Sequence, residues 1–130
     1  MSHIHVLVVD DEDDYRDTLV KRMRRRNYTV RGARDGQEAL EMMDEAPADL
    51  VLLDMRMPRM NGLQALLALK KSHPSTRVIL VTGHACAETA RHGLLHGAYD
   101  YMLKPVTLDQ IMDKIKECLE SEPGGFSTPH

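Results

Sequence analysis

The chain has 130 residues, 42% of them hydrophobic and 28% charged, with a formal net charge of −3. That is one domain's worth, since domains cluster near about 100–150 residues. The balance excludes a disordered chain, which is poorer in apolar residues. It also excludes a general nucleic-acid or membrane-surface binder, which needs a basic excess.

The first element is an apolar run, Ile4–Val9, with the spacing of a buried strand, and it leads into the acid run Asp10-Asp11-Glu12-Asp13-Asp14. Tyr15, Leu19 and Met23 then recur every four residues, the period of a helix. Its basic end, Lys21 to Arg26, reads as a solvated helix terminus where cations complement the dipole. A second strand is expected at Thr29–Ala33, followed by an Asp35-Gly36 turn and a helix carrying Ala39, Leu40 and Met43. The third strand, Leu50–Leu53, ends at Asp54. Asn61-Gly62 opens a third helix with Leu63, Leu66, Leu67 and Leu69, and His73-Pro74 closes it, because the residue before proline resists helical geometry. Arg77–Val81 is the fourth strand, with Thr82 and Gly83 behind it. Segment 87–96 is the weakest helix, with a thin apolar stripe broken by Gly93 and a stop at Gly97. Tyr99–Leu103 is the fifth strand and delivers Lys104-Pro105. Thr107 caps the last helix, striped by Leu108, Ile111, Met112, Ile115 and Leu119. The domain is expected to occupy 1–122, with a disordered tail at 123–130 rich in Gly, Pro and Ser.

Runs such as Val6-Leu7-Val8-Val9 and Val78-Ile79-Leu80-Val81 are apolar throughout rather than alternating, as in strands covered on both faces. Five β-α repeats therefore predict an α/β fold, a doubly wound five-stranded parallel sheet with right-handed crossovers. Ligands of such sheets sit beyond the carboxyl ends of the strands. At those ends this chain places Asp10 and Asp11, Asp54, Thr82 and Lys104. Helix capping alone accounts for Asp13 and Asp14 better than for Asp10 and Asp11. Two unit charges about 4 Å apart cost about 4 kcal/mol at an effective dielectric near 20, so three converging carboxylates call for a cation. Carboxylate, carbonyl and water ligands suit Mg²⁺ or Mn²⁺. A lysine and a hydroxyl beside such a cluster complete a site for phosphoryl transfer to a carboxylate.

The runs Val8-Val9-Asp10-Asp11-Glu12, Leu53-Asp54 through Asn61-Gly62, Val81-Thr82-Gly83-His84 and Gly97-Ala98-Tyr99-Asp100-Tyr101-Met102-Leu103-Lys104-Pro105 resemble the receiver domain of bacterial two-component response regulators over about residues 4–120. Asp35-Gly36-Gln37-Glu38-Ala39-Leu40 adds a softer match. The resemblance implies a flavodoxin-like (βα)5 fold with strand order 2-1-3-4-5. It implies that Asp54 is the phosphoacceptor, taking a phosphoryl group from a sensor histidine kinase or a phosphotransfer protein. Asp10, Asp11, Asp54 and the backbone carbonyl of Arg56 would hold Mg²⁺. Thr82 would swing in as the switch hydroxyl, Lys104 would pair with the phosphoryl group, and Tyr101 would follow Thr82. The Lys104-Pro105 bond would be cis. The surface of the fourth helix, fifth strand and fifth helix would report the state, with phosphorylation-dependent self-association as one outcome.

Other readings fit less well. A haloacid-dehalogenase-type hydrolase wants a second acid two residues after its nucleophile and then a threonine or valine, which the run after Asp10 does not supply. No glycine-rich G-x-G-x-x-G follows the first strand, which removes a dinucleotide-binding domain. A degenerate receiver that only binds is disfavoured by the complete site. His92 and His96 lie one helical turn apart but lack a third ligand at zinc spacing. Met55, Met57 and Met60 read as loop and core filler. Cys86 and Cys118 do not make a disulfide framework, and the N-terminus has neither the basic region nor the cleavage pattern of a signal peptide. A phosphorylation-controlled signalling module that acts in the cytoplasm, with reduced thiols and without binding nucleic acid or membrane, is the expected function.

Overall fold

The computed structural model describes residues 4–57 and 60–120. Five strands alternate with five helices: β1 (His5–Val9), α1 (Asp13–Arg24), β2 (Thr29–Ala33), α2 (Gly36–Glu45), β3 (Leu50–Leu53), α3 (Gly62–Ser72), β4 (Arg77–Thr82), α4 (Ala87–Gly93), β5 (Asp100–Leu103) and α5 (Leu108–Leu119). The sheet is parallel throughout, in the order β2-β1-β3-β4-β5. The expected tail at 123–130 lies outside the described residues.

The uninterrupted apolar runs have a direct cause. Leu7, Val9, Val51, Leu53, Val78 and Leu80 pack into a cluster with residues of α2, α3 and α4. Their strand neighbours Val6, Val8, Leu50, Leu52, Ile79 and Val81 pack on the opposite face with Leu19, Met23, Ile111 and Ile115 of α1 and α5. Side chains alternate faces along a strand, so a sheet covered on both sides needs an apolar residue at every position.

Local signals set the helix starts. The Asp35 side chain accepts from the Glu38 N–H at 2.9 Å. Asn61 with Gln64, and Thr107 with Gln110, form reciprocal capping boxes. His73 is the C-cap of α3, and Gly97 sits at φ 105°, the left-handed conformation glycine adopts at little cost.

The fourth helix departs from its expected span. A 3-10 turn, His84–Cys86, precedes α4, and the segment Leu94–His96 that follows is again 3-10 rather than α-helical. Gly93 is buried and faces the sheet: a Cβ there would lie 2.5 Å from Leu80 Cδ1 and 3.2 Å from Leu66 Cδ2. It is therefore the residue that lets α4 approach β4, and more than a weak point in a helical stripe.

Candidate functional site

Because all five strands run the same way, their carboxyl ends share one edge. The sheet ladder itself places the first two acids. Asp10 N–H donates to the Ala33 carbonyl at 3.1 Å, and Asp54 N–H donates to the Val9 carbonyl at 3.0 Å. Each aspartate is thus held by its backbone to the neighbouring strand. Both residues are buried, at 3% and 6% exposure, whereas Asp11 beside them is exposed. One carboxylate oxygen from each of Asp10, Asp11 and Asp54 lies within 4.8 Å of the others.

Thr82, at the end of β4 and fully buried, donates its hydroxyl to Asp54 Oδ1 at 2.8 Å. The Arg56 N–H reaches the same oxygen at 3.3 Å, while the Arg56 side chain is exposed. Lys104 is positioned by its backbone N–H on the Thr82 carbonyl at 2.7 Å. Its ammonium lies 2.8 Å from Asp10 Oδ2, 3.5 Å from Glu12 Oε1 and 3.9 Å from Asp54 Oδ2. The Lys104-Pro105 peptide is cis.

The electrostatics follow from burial and neighbours. Burial pushes the Asp54 carboxyl above the ordinary aspartate range, and the Asp10 charge adds to the rise. The Thr82 hydrogen bond, Lys104 and the Arg56 N–H oppose it without cancelling it. Burial pulls Lys104 down, but its hydrogen bond to Asp10 and the charges of Asp10 and Asp54 more than offset this, so it stays cationic with a raised pKa. An acid that is costly to ionise, beside two more acids and one lysine, is a site that gains from a bound cation. The donors are hard oxygens, the set Mg²⁺ prefers.

The chain matches the family model described as "Response regulator receiver domain" over residues 6–116. The chain belongs to that family. It is 36% identical to the response regulator protein PilR of Pseudomonas aeruginosa, over 92% of this chain and 27% of PilR. It is 39% identical to the sensor kinase CckA of Brucella abortus, over 90% of this chain and 13% of that kinase. Among solved structures, the receiver domain of NtrX from Brucella abortus superposes with a TM-score of 0.84 at 34% identity, covering 90% of this chain and 99% of that one. The chain spans about a quarter of the length of the curated regulators it matches. This receiver domain is a signalling domain of two-component response regulators, and phosphotransfer is its role. Receiver domains of response regulators interact with sensor kinases and generally bind Mg²⁺ at an acidic pocket, and Asp10, Asp11 and Asp54 form an acid cluster in this chain.

The fold brings together Asp10, Asp11, Asp54, Thr82 and Lys104. In this arrangement the Thr82 hydroxyl rests on Asp54 itself. Tyr101 is half-buried and packs against the cluster beneath α2, α3 and α4, which also includes Leu80, its register partner on β4. His84, His92 and His96 are exposed. The basic run at the end of α1 is exposed apart from Met23; Arg24 bonds the Val30 carbonyl and Arg26 pairs with Asp109. Burial pushes the Cys118 thiol up to about 11, which leaves it inert at neutral pH. No helix among the described residues is long and apolar enough to cross a membrane.

Three residues at the site escaped sequence reasoning. Arg16 is buried, donates to the Asp10 carbonyl at 3.1 Å and pairs with Asp13 at 2.9 Å, while its stem lies over Gly32. Glu12 offers its carboxylate to Lys104 and donates its N–H to Asp10 Oδ1 at 2.9 Å. Tyr15 places its ring under the Lys104 ammonium, 4.3 Å from the centroid. An arginine one turn into an acidic helix start was the only available hint for the first. Glu12 stands in the acid run, but nothing in that run aims it at Lys104, and helical period marks Tyr15 only as core.

Proposed function

We propose that Asp54 is the phosphoacceptor of this receiver. The observation that carries the reading is the environment of its carboxylate: one oxygen on the Thr82 hydroxyl, the other facing Lys104, with Asp10 and Asp11 alongside. Asp54 Oδ attacks phosphorus of a phosphohistidine on a sensor histidine kinase or phosphotransfer protein. The new O–P bond forms as the P–N bond breaks, and the imidazole keeps the electron pair. Asp54 is nucleophilic only as the carboxylate, and Lys104, the Arg56 N–H and the Thr82 hydroxyl favour that form.

Asp10, Asp11, Asp54 and the Arg56 carbonyl would hold Mg²⁺ (or Mn²⁺), which supplies charge neutralisation between the acids and the incoming phosphoryl oxygens. Lys104 then moves from Asp10 toward a phosphoryl oxygen, and Thr82 passes its hydrogen bond from Asp54 Oδ1 to another. Those are bonds the free domain does not make, so they bias its surface. Thr82 leads directly into the 3-10 turn and short α4, and Tyr101 lies on the adjacent strand. This supports a readout through α4, β5 and α5, with self-association controlled by phosphorylation. The domain catalyses only its own phosphorylation and dephosphorylation, in a cytoplasmic setting, and does not itself bind nucleic acid.

The test is intact mass after incubation with acetyl phosphate and Mg²⁺. One phosphate adduct is expected, absent when Mg²⁺ is chelated and absent in Asp54→Asn. An adduct at full stoichiometry in Asp54→Asn overturns the assignment.

A further inference from the structure

Among the described residues the Lys104 ammonium meets three acids and, besides them, one aromatic ring. Its ammonium touches Asp10, lies farther from Glu12 and Asp54, and sits over the ring of Tyr15. Tyr15 belongs to the first turns of α1, a helix remote in sequence from the end of β5 that carries Lys104. The lysine must be loosely enough held to leave Asp10, yet confined enough to arrive at Asp54. Its side chain is 20% exposed, and Glu12, at 67%, draws it toward solvent.

An aromatic face meets both needs. The attraction between a cation and a ring is electrostatic and uses none of the three N–H donors of the ammonium. The lysine can therefore exchange one hydrogen-bond partner for another without leaving the ring. The Tyr15 hydroxyl takes no part in this. It is buried with no hydrogen-bond partner among the described residues, and burial raises its pKa, so it is a neutral phenol. A polar atom left unbonded contributes nothing to holding the residue there, which leaves the ring as the functional part.

We propose that Tyr15 is a positioning residue for phosphotransfer: its ring is the platform that holds the Lys104 ammonium while its hydrogen bonds pass from Asp10 to the phosphoryl group on Asp54. The proposal rests on Asp54 being the phosphoacceptor. Wild-type protein that forms no Asp54 adduct refutes that premise; the comparisons below, made on protein that does form it, address Tyr15 alone.

The experiment measures the initial rate of adduct formation from acetyl phosphate at fixed Mg²⁺. Tyr15→Phe keeps the ring and should stay within about twofold of wild type, while Tyr15→Leu should lose about three- to fivefold, the rate equivalent of a partly exposed cation–π contact. In a Lys104→Met background, Tyr15→Leu should cause no further loss. Phenylalanines at position 15 carrying one, two and three ring fluorines keep nearly the same shape and fold, and their rates should fall stepwise as the ring face loses negative potential. A flat fluorine series, Tyr15→Phe as slow as Tyr15→Leu, or additive losses with Lys104→Met would each overturn the proposal.

Discussion

Asp54 is held as a carboxylate at a cost, and the structure says what that cost consists of. The oxygens of Asp10 and Asp54 come within 4.8 Å, a repulsion of about 3.5 kcal/mol at an effective dielectric near 20. Lys104 at 3.9 Å returns about 4 kcal/mol at the same dielectric, so it nearly cancels Asp10, while the exposed Asp11 carboxylate adds a repulsion that solvent screens. The larger remaining cost is desolvation of a side chain that is 7% exposed, an effective penalty of several kcal/mol per ion, reduced by the Thr82 and Arg56 hydrogen bonds. An asparagine keeps the shape and an acceptor for Thr82 without the charge. Asp54→Asn should therefore stabilise the metal-free domain at pH 7 by about 1–3 kcal/mol, or roughly 3–5 °C in Tm for each kcal/mol. Folded Asp54 holds its proton more tightly than the unfolded chain does. The penalty is thus fully present above the folded pKa and disappears below the unfolded value of about 3.9. Urea unfolding followed by circular dichroism from pH 3.5 to 7.5 in EDTA reads the difference directly. The gap should close as pH falls, and Mg²⁺ should narrow it by stabilising wild type more than the variant. Asp10→Asn should do the opposite and destabilise, because it turns the charged partner of Lys104 at 2.8 Å into a neutral amide. An Asp54→Asn protein no more stable than wild type at pH 7, or a gap independent of pH, would refute the reasoning.

Three further outcomes are expected. Gly62→Ala should slow phosphorylation without touching a side chain of the site, because its Cβ would lie 2.6 Å from Met55 Sδ and 2.9 Å from the Asp54 carbonyl oxygen and push back the strand end that carries Asp54; a wild-type rate of adduct formation would contradict this. Gly93→Ala should cost about 1–3 kcal/mol by overpacking against Leu80 and should raise amide exchange across 87–96 more than elsewhere; unchanged unfolding would count against the close approach. Arg56→Ala should lose its phosphate faster, since an exposed guanidinium two residues past Asp54 can pair with phosphoryl oxygens and crowd the attacking water; a dephosphorylation rate equal to or below wild type would remove that role, and His84→Ala beside it shows whether the histidine acts at all.

The sequence alone determined the strands, the helices and the acid edge. A strand buried on both faces must be apolar at every position, so Val6–Val9 and Val78–Val81 announce themselves, and the first polar residue after each run marks the strand end. Parallel strands all finish on one side, so Asp10, Asp54, Thr82 and Lys104 had to converge once the sheet was recognised. Caps such as Asn61 and Thr107 were legible because their bonding partners lie three residues away. What the tertiary structure decided is which atom meets which across long separations. Tyr15 and Lys104 meet only because α1 and the end of β5 flank the same strand ends, and nothing in the helical period of Tyr15 distinguishes a ring under a lysine from a ring in the core. Gly93 reads in sequence as a helix breaker, and only the fold sets Leu80 and Leu66 against it; likewise only the fold shows that the Thr82 hydroxyl bonds Asp54. Periodicity records which face of an element is buried. The neighbour that buries it depends on how elements distant in the chain are packed, and a single sequence holds no local trace of that.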